Sequence, residues 1–174
     1  VGITDEDAMC VVAGTWSINE YISKTPVVDK DLFMTSIYTM PGYWMILEGS
    51  PTSASNLEWF LTEILKDVNL GDRDIYDFSN SSVEKIGDKD CGLVFLPFLF
   101  GSNVNINAKG SFIGLQSWHT RGNMLRAVYE GIVFCHKYHI EKLLKYRKAP
   151  SLIRMAGGVA KSEIWVQMFA DILQ

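Results

Sequence analysis

With 174 residues, nearly half of them hydrophobic, the chain can bury one substantial core and is too apolar to be disordered. A formal net charge of -4 without a long Lys/Arg run leaves no electrostatic footprint for nucleic acid. No stretch nears about eighteen consecutive apolar residues and no basic-then-apolar leader opens the chain, so no membrane partner is expected.

Thr4-Asp5-Glu6-Asp7 is expected to open a polar helix or turn, with Thr4 as its cap. Met9–Ala13 is a β-rich apolar run that meets Gly14-Thr15. Alternation resumes over Trp16–Tyr21, which predicts a hairpin closed by a tight Gly-Thr turn. That turn offers a close backbone approach together with a threonine N–H and hydroxyl, a combination that suits a phosphate oxygen as well as a plain β-turn. Ser23–Thr39 is mixed, Pro41-Gly42 is a turn, and Tyr43–Leu47 is a further strand.

A helix is expected from Ser53 or Ser55, with Ser55 and Glu58 as a capping box and Leu57, Phe60, Leu61, Ile64 and Leu65 as its buried stripe. Asp72–Asp90 is polar, with one short helix expected near Ser82–Ile86. Gly92–Leu96 is a strand that Pro97 ends. Phe98–Leu115, rich in glycine and asparagine, is expected to be a long functional loop.

The longest element is a core helix over Thr120–Lys145. Leu125, Tyr129, Ile132, His136, Ile140 and Leu143 form its stripe, and Arg126, Lys137, Glu141, Lys142 and Lys145 are expected to face water. The chain closes with a strand over Ser151–Ala156, a turn at Gly157-Gly158 and a helix from Ala160. Ile164, Met168, Ala170 and Ile172 should share the apolar face, with Trp165 and Phe169 at its border. Strand, glycine turn and helix together bring N–H groups and a positive helix end to one point, where a phosphate or adenosine can approach. The pattern is neither G-x-G-x-x-G nor G-x-x-x-x-G-K-[ST].

Other chemistry finds little support. His119, His136 and His139 lack carboxylate or cysteine partners at a ligand spacing, so a metal set is not expected. Ser162 has no G-x-S-x-G around it. The carboxylates of Asp5–Asp7 and Asp88–Asp90 look solvated, and none is an evident general base. Cys10, Cys91 and Cys135 are widely spaced and odd in number, as expected of reduced thiols in a cytoplasmic protein.

Three segments, in order, resemble the C-terminal domain of the FGGY carbohydrate kinases. Lys109–Gly131 carries the family signature, here Gly110, Gly114, Leu115, Asn123, Ala127 and Glu130. Ala156–Asp171 is similar to the family's adenosine segment, and Ala13-Gly14-Thr15 to its second phosphate loop. The resemblance implies an α/β fold of the ribonuclease H-like, actin-like ATPase kind, with a mixed central sheet and flanking helices. It implies that Gly14 and Thr15 contact ATP phosphates, that Gly157 and Gly158 line the nucleotide, and that Ser162 borders the adenine. Phe100 and Gly101, with Ser102, match the loop that approaches the nucleotide, while Trp165 and Gln167 match positions that pack the last helix.

Val159 departs from the family, standing where many members have a third glycine. Ser102–Asn107 is similar to the L-xylulose kinase subgroup. The general base, an aspartate in a Gly-x-x-Asp segment, is expected upstream of Val1. On this reading residues 1–174 are part of the C-terminal nucleotide-binding domain of a two-domain sugar kinase, without its N-terminal sugar-binding domain and its C-terminal tail. ATP, Mg²⁺, a sugar (a ketopentose such as xylulose) and the absent domain are the expected partners, and a homodimer stays open. Alone, the chain is expected to phosphorylate nothing. A non-catalytic ATP-binding or sugar-sensing domain of the same superfamily is the alternative.

Overall fold

A computed structural model of the chain describes residues 2–87 and 92–174. Asp88, Asp90 and Cys91, singled out above, lie outside the described residues. The strands are β1 (Ala8–Ala13), β2 (Ser17–Ser23), β3 (Met34–Ile37), β4 (Trp44–Ser50), β5 (Val94–Leu96), β6 (Ser111–Ile113) and β7 (Leu152–Ala156). The α-helices are α1 (Ser55–Trp59), α2 (Ile75–Ile86), α3 (Arg121–Leu143) and α4 (Glu163–Leu173).

Five strands form one mixed sheet in the order β3-β4-β2-β1-β7, in which only β1 and β7 run parallel. The parallel pair follows from the crossover through α3, since parallel neighbours need a connection long enough to return the chain. Alternation along β1 sends Met9, Val11 and Ala13 into the core shared with the helices. Ala8 and Cys10 go to the opposite face, where a smaller cluster holds Ile3 and Ile22.

α3 is the axis of the core. Leu125, Val128, Tyr129, Ile132, Val133, His136, Ile140 and Leu143 are all buried along one broad stripe. Each aliphatic or aromatic side chain removed from water this way contributes about 1.5–3 kcal/mol. Thr120 caps the helix through a reciprocal box with Asn123. Gly131 brings α3 against β5 so closely that a β-carbon there would strike the Phe95 carbonyl. The signature glycines do similar work: Gly110 sits on Leu99, and Gly114, at φ +86°, sits on the Gly92 carbonyl. Much of Lys109–Gly131 therefore fixes the β5–β6 hairpin against α3.

Several expectations are corrected. Asp5, not Thr4, caps the opening turn, accepting from the Asp7 and Ala8 N–H groups. Ser55 makes no capping box; its hydroxyl donates to the Thr15 and Pro51 carbonyls, and α1 widens into a π turn over Phe60–Ile64 that turns Ile64 outward. α2 starts at Ile75, seven residues before the expected helix, because the Asp74 carboxylate accepts from the N–H groups of Tyr76 and Asp77. Phe98–Leu115 contains β6, which pairs with β5 and packs Phe112 against Phe95 with ring centroids 4.8 Å apart. In α4 it is Trp165, Met168 and Phe169 that are buried, while Ala170 and Gln167 are exposed, since Ser162 delays the helix start. Arg126, Lys137 and Lys142 do not simply face water: they bond Glu130, the Ile172 carbonyl and Glu48 respectively.

Candidate functional site

A cleft of about 590 Å³ opens where the β1–β2 turn, the start of α1, α2 and the β7–α4 connection meet. Gly14, Thr15, Gly158 and Ser162 all line it. The pairing of β1 with β7 explains the convergence: Val12 and Ala156 are register partners, so both glycine turns leave the same end of the sheet. Such an end, outside the carboxyl ends of neighbouring parallel strands, is where α/β sheets place ligands.

The two turns are held differently. The Gly14 carbonyl accepts from the Ala54 N–H at 2.8 Å and the Thr15 carbonyl from Ser55 at 3.1 Å, which clamps the turn to α1. Thr15 itself is exposed, and its hydroxyl makes no hydrogen bond among the described residues. Gly157 has φ +94° and lies under the Ala13 carbonyl, where a β-carbon would come within 2.6 Å. It shapes the turn without lining the cleft. Gly158 has no left-handed φ and nothing within 4 Å of an added β-carbon, so open space lies over it.

One wall of the cleft is a directional hydrogen-bond relay. Ser79 bonds the Tyr129 hydroxyl at 3.0 Å, and that hydroxyl donates to Asn80 Oδ1 at 2.9 Å. Ser162 donates to the same Oδ1 at 2.8 Å and accepts from the Trp165 N–H. Burial pushes the Tyr129 phenol up to about 12, so it stays protonated and able to donate. With Oδ1 taking two donors, the Asn80 amide is fixed with its oxygen inward and its NH₂ group available to the cleft. The floor beneath is apolar, built on Tyr129 and Trp165 rings stacked at 4.2 Å, and beside it lie Leu57 and Val159.

Phe100 and Gly101 are not among the lining residues. Phe100 is half-exposed, Gly101 closes a turn onto the Phe98 carbonyl, and the neighbouring Asn103 donates to the Gly49 carbonyl at 2.7 Å. This loop borders a second, apolar cavity, which Ser102 helps to line. Sequence reading missed Asn80 and the carboxylates Glu58, Asp74 and Asp77 at the cleft. The Asp74 cap was the available signal, since it begins the helix that carries Asp77 and Asn80. Among the described residues, no group of three or more His, Cys, Asp or Glu could hold a metal ion, and no helix is long and apolar enough to cross a membrane.

The mixed sheet with its flanking helices has the ribonuclease H-like, actin-like ATPase fold of sugar kinases of known structure. The fold matches a xylulose kinase from Rhodospirillum rubrum, at TM-score 0.88 and 24% identity over 99% of this chain and 34% of that one. It also matches a Plasmodium falciparum glycerol kinase solved with ADP, at TM-score 0.78 and 19% identity over 95% of this chain and 33% of that one. The chain belongs to the FGGY family of carbohydrate kinases, residues 9–174 matching the family's C-terminal domain. It is 37% identical over 174 residues to a probable L-xylulose kinase of Haemophilus influenzae, a match covering 98% of this chain and 34% of the relative. An L-xylulose/3-keto-L-gulonate kinase of Escherichia coli is 35% identical, with 98% of this chain and 33% of that protein covered. The chain thus spans about a third of the length of the curated relatives it matches.

Proposed function

We propose that this chain supplies the nucleotide-binding half of an ATP-dependent sugar kinase, the acceptor being a ketopentose of the xylulose kind. The carrying observation is the shared cleft, in which Gly14 and Thr15 face Gly158 and Ser162. The cleft fits a nucleotide in kind. Its apolar floor suits a base, the Asn80 amide can donate to a ring nitrogen, and exposed carboxylates suit ribose hydroxyls. The phosphates then run to the Gly14-Thr15 turn, where Thr15 has a free hydroxyl, and Lys161 is the one basic side chain among the described lining residues. The acceptor preference is supported by the names of relatives at 35–37% identity.

Mg²⁺ is held mainly by phosphate oxygens and waters with one or two carboxylates, so the lack of a protein cage among the described residues fits its use. When bound, it would neutralise charge on the transferring phosphoryl group. This chain's residues would orient the nucleotide, and the general base and the sugar site would come from other parts of the intact protein.

Two substitutions test the reading. Gly158→Val should weaken ADP binding at least about tenfold by calorimetry, because its side chain projects into open cleft space, while the melting temperature stays put. Unchanged affinity would place the nucleotide elsewhere. In the intact enzyme, Thr15→Val should lower kcat about tenfold to a hundredfold with a smaller change in sugar KM, since one hydrogen bond to a charged group is lost in the transition state. A drop in melting temperature with unchanged kcat would remove Thr15 from the site.

A further inference from the structure

Outside the lining of the nucleotide cleft, β4 and α3 bury a second constellation. Cys135 and His139 lie one turn apart on α3, facing Glu48 and Ser50 of β4 and the adjoining Thr52. His139 Nδ1 is 3.0 Å from Glu48 Oε2, and its Nε2 is 3.2 Å from the Ser50 hydroxyl. Glu48 is fully buried and takes two further donors, Lys142 Nζ at 2.8 Å and the Phe33 N–H at 2.7 Å. Cys135 Sγ has the Thr52 hydroxyl at 3.6 Å and the Ser50 hydroxyl at 4.0 Å.

The sulfur is not sealed in. Cys135 is half-buried and, with His139, lines a cavity of about 350 Å³ whose other walls are mostly apolar, among them Leu93, Phe95, Pro97 and Phe134, with Ser102, Asn103 and Glu130 as polar members. Nothing in the nucleotide site uses this cavity. We propose that Cys135 is a nucleophilic thiol with His139 as its proton partner and Glu48 as the group that orients that imidazole. Its ligand class is a soft, apolar electrophile, an α,β-unsaturated carbonyl compound, taken up in the cavity between α3 and the β5–β6 hairpin.

The chemistry balances without a further reagent. His139 Nε2 takes the thiol proton through the Ser50 hydroxyl, which lies 4.0 Å from Cys135 Sγ and 3.2 Å from Nε2, while Nδ1–H stays on Glu48. Sulfur then bonds the β-carbon, the C=C electron pair moves onto the α-carbon, and that carbon takes the proton back from His139. A neutral imidazole and a saturated thioether remain. The electrostatics agree with this assignment. Burial alone would raise the Cys135 thiol, but the neighbouring His139, with the Thr52 and Ser50 hydroxyls, outweighs it and holds the thiol below its ordinary value. Burial likewise opposes charge on His139, and the nearby Cys135 and Glu48 outweigh that too. Cys10 is the internal contrast: fully buried beside Glu20, its thiol is pushed up to about 11.

The test is labelling of the full chain with N-ethylmaleimide across a pH series, each cysteine being followed by peptide mass spectrometry. At about pH 6, Cys135 should react at least about tenfold faster than Cys10, with a midpoint below that of an ordinary thiol near 8.5. His139→Gln should slow Cys135 about tenfold at that pH and move the midpoint up. Because that variant removes a buried partner, the wild-type chain unfolded in urea is the second reference: there Cys135 should react more slowly at about pH 6 than in the fold. A Cys135 that reacts faster unfolded, or a folded His139→Gln chain with the wild-type profile, overturns the assignment. An apolar N-phenylmaleimide should outpace a sulfonated maleimide; equal rates would overturn the cavity's role.

Discussion

Gly157→Ala is expected to destabilise the chain by about 3 kcal/mol or more, while Gly158→Ala, one residue on, stays within about 0.5 kcal/mol. Gly157 has φ +94° and ψ -177°, a region open essentially to glycine alone. A methyl group there would also stand 2.6 Å from the Ala13 oxygen and 2.9 Å from its carbonyl carbon. Both obstacles are backbone, so neither can rotate away. Relief requires parting β1 from the β7 turn, which opens the cleft as well. Urea unfolding of the two variants measures the contrast, and equal stability would mean that the turn relaxes freely.

Glu48→Ala should cost about 3–5 kcal/mol, the range for breaking a buried charged pair, since it leaves His139, Lys142 and the Phe33 N–H without their acceptor. The pH dependence of the loss identifies its cause. Burial would raise the Glu48 carboxyl, but bonds from His139 and Lys142 hold it below the ordinary value, so its contribution is present above about 4.3 and fades as pH falls through the folded value. The His139 imidazole is raised against burial by Cys135 and Glu48. Its contribution is full below about 6.5 and fades as pH rises through the folded value. The difference between wild type and variant should therefore be largest between about pH 4.5 and 6.5. On the alkaline side it shrinks toward the part owed to Lys142. Taking the difference matters, because His136, pushed down to about 3 mainly by burial, destabilises both chains as acid protonates the unfolded state. A difference flat across pH would show that lost packing, not charge, sets the cost.

What could be read in the sequence was local. The apolar run of β1, the Gly14-Thr15 turn, the stripe of α3 and the β7–Gly157 unit each write their geometry into a few neighbouring residues, and each stands as expected. β3 could not be read, because Met34–Ile37 is short and keeps Met34 and Ile37 exposed; it is a strand only through β4. β6 hides among glycines and asparagines for a similar reason, its stability coming from Phe112 against Phe95 and Phe60. The cleft shows the same division. Its glycines are visible as turn chemistry, whereas Asn80 acquires its orientation from Tyr129 and Ser162, 49 and 82 positions away. His139 looked like a plain helical histidine, because its partner Glu48 is 91 residues distant.

The β1–β7 pairing also has a temporal meaning. Asp7 and Ser151, whose side chains bond just below the register, are 144 residues apart, whereas β1 and β2 meet across a three-residue turn. Contacts of such separation carry the largest closure entropy and slow a fold's completion. The hairpin can form early, but the cleft between Gly14 and Gly158 exists only in molecules where β7 has docked. A nucleotide that binds there selects those molecules and lowers the free energy of the completed sheet by RT ln(1 + [L]/Kd). Ligand-dependent protection of the β7 amides against hydrogen exchange would then report, strand by strand, how late the chain closes.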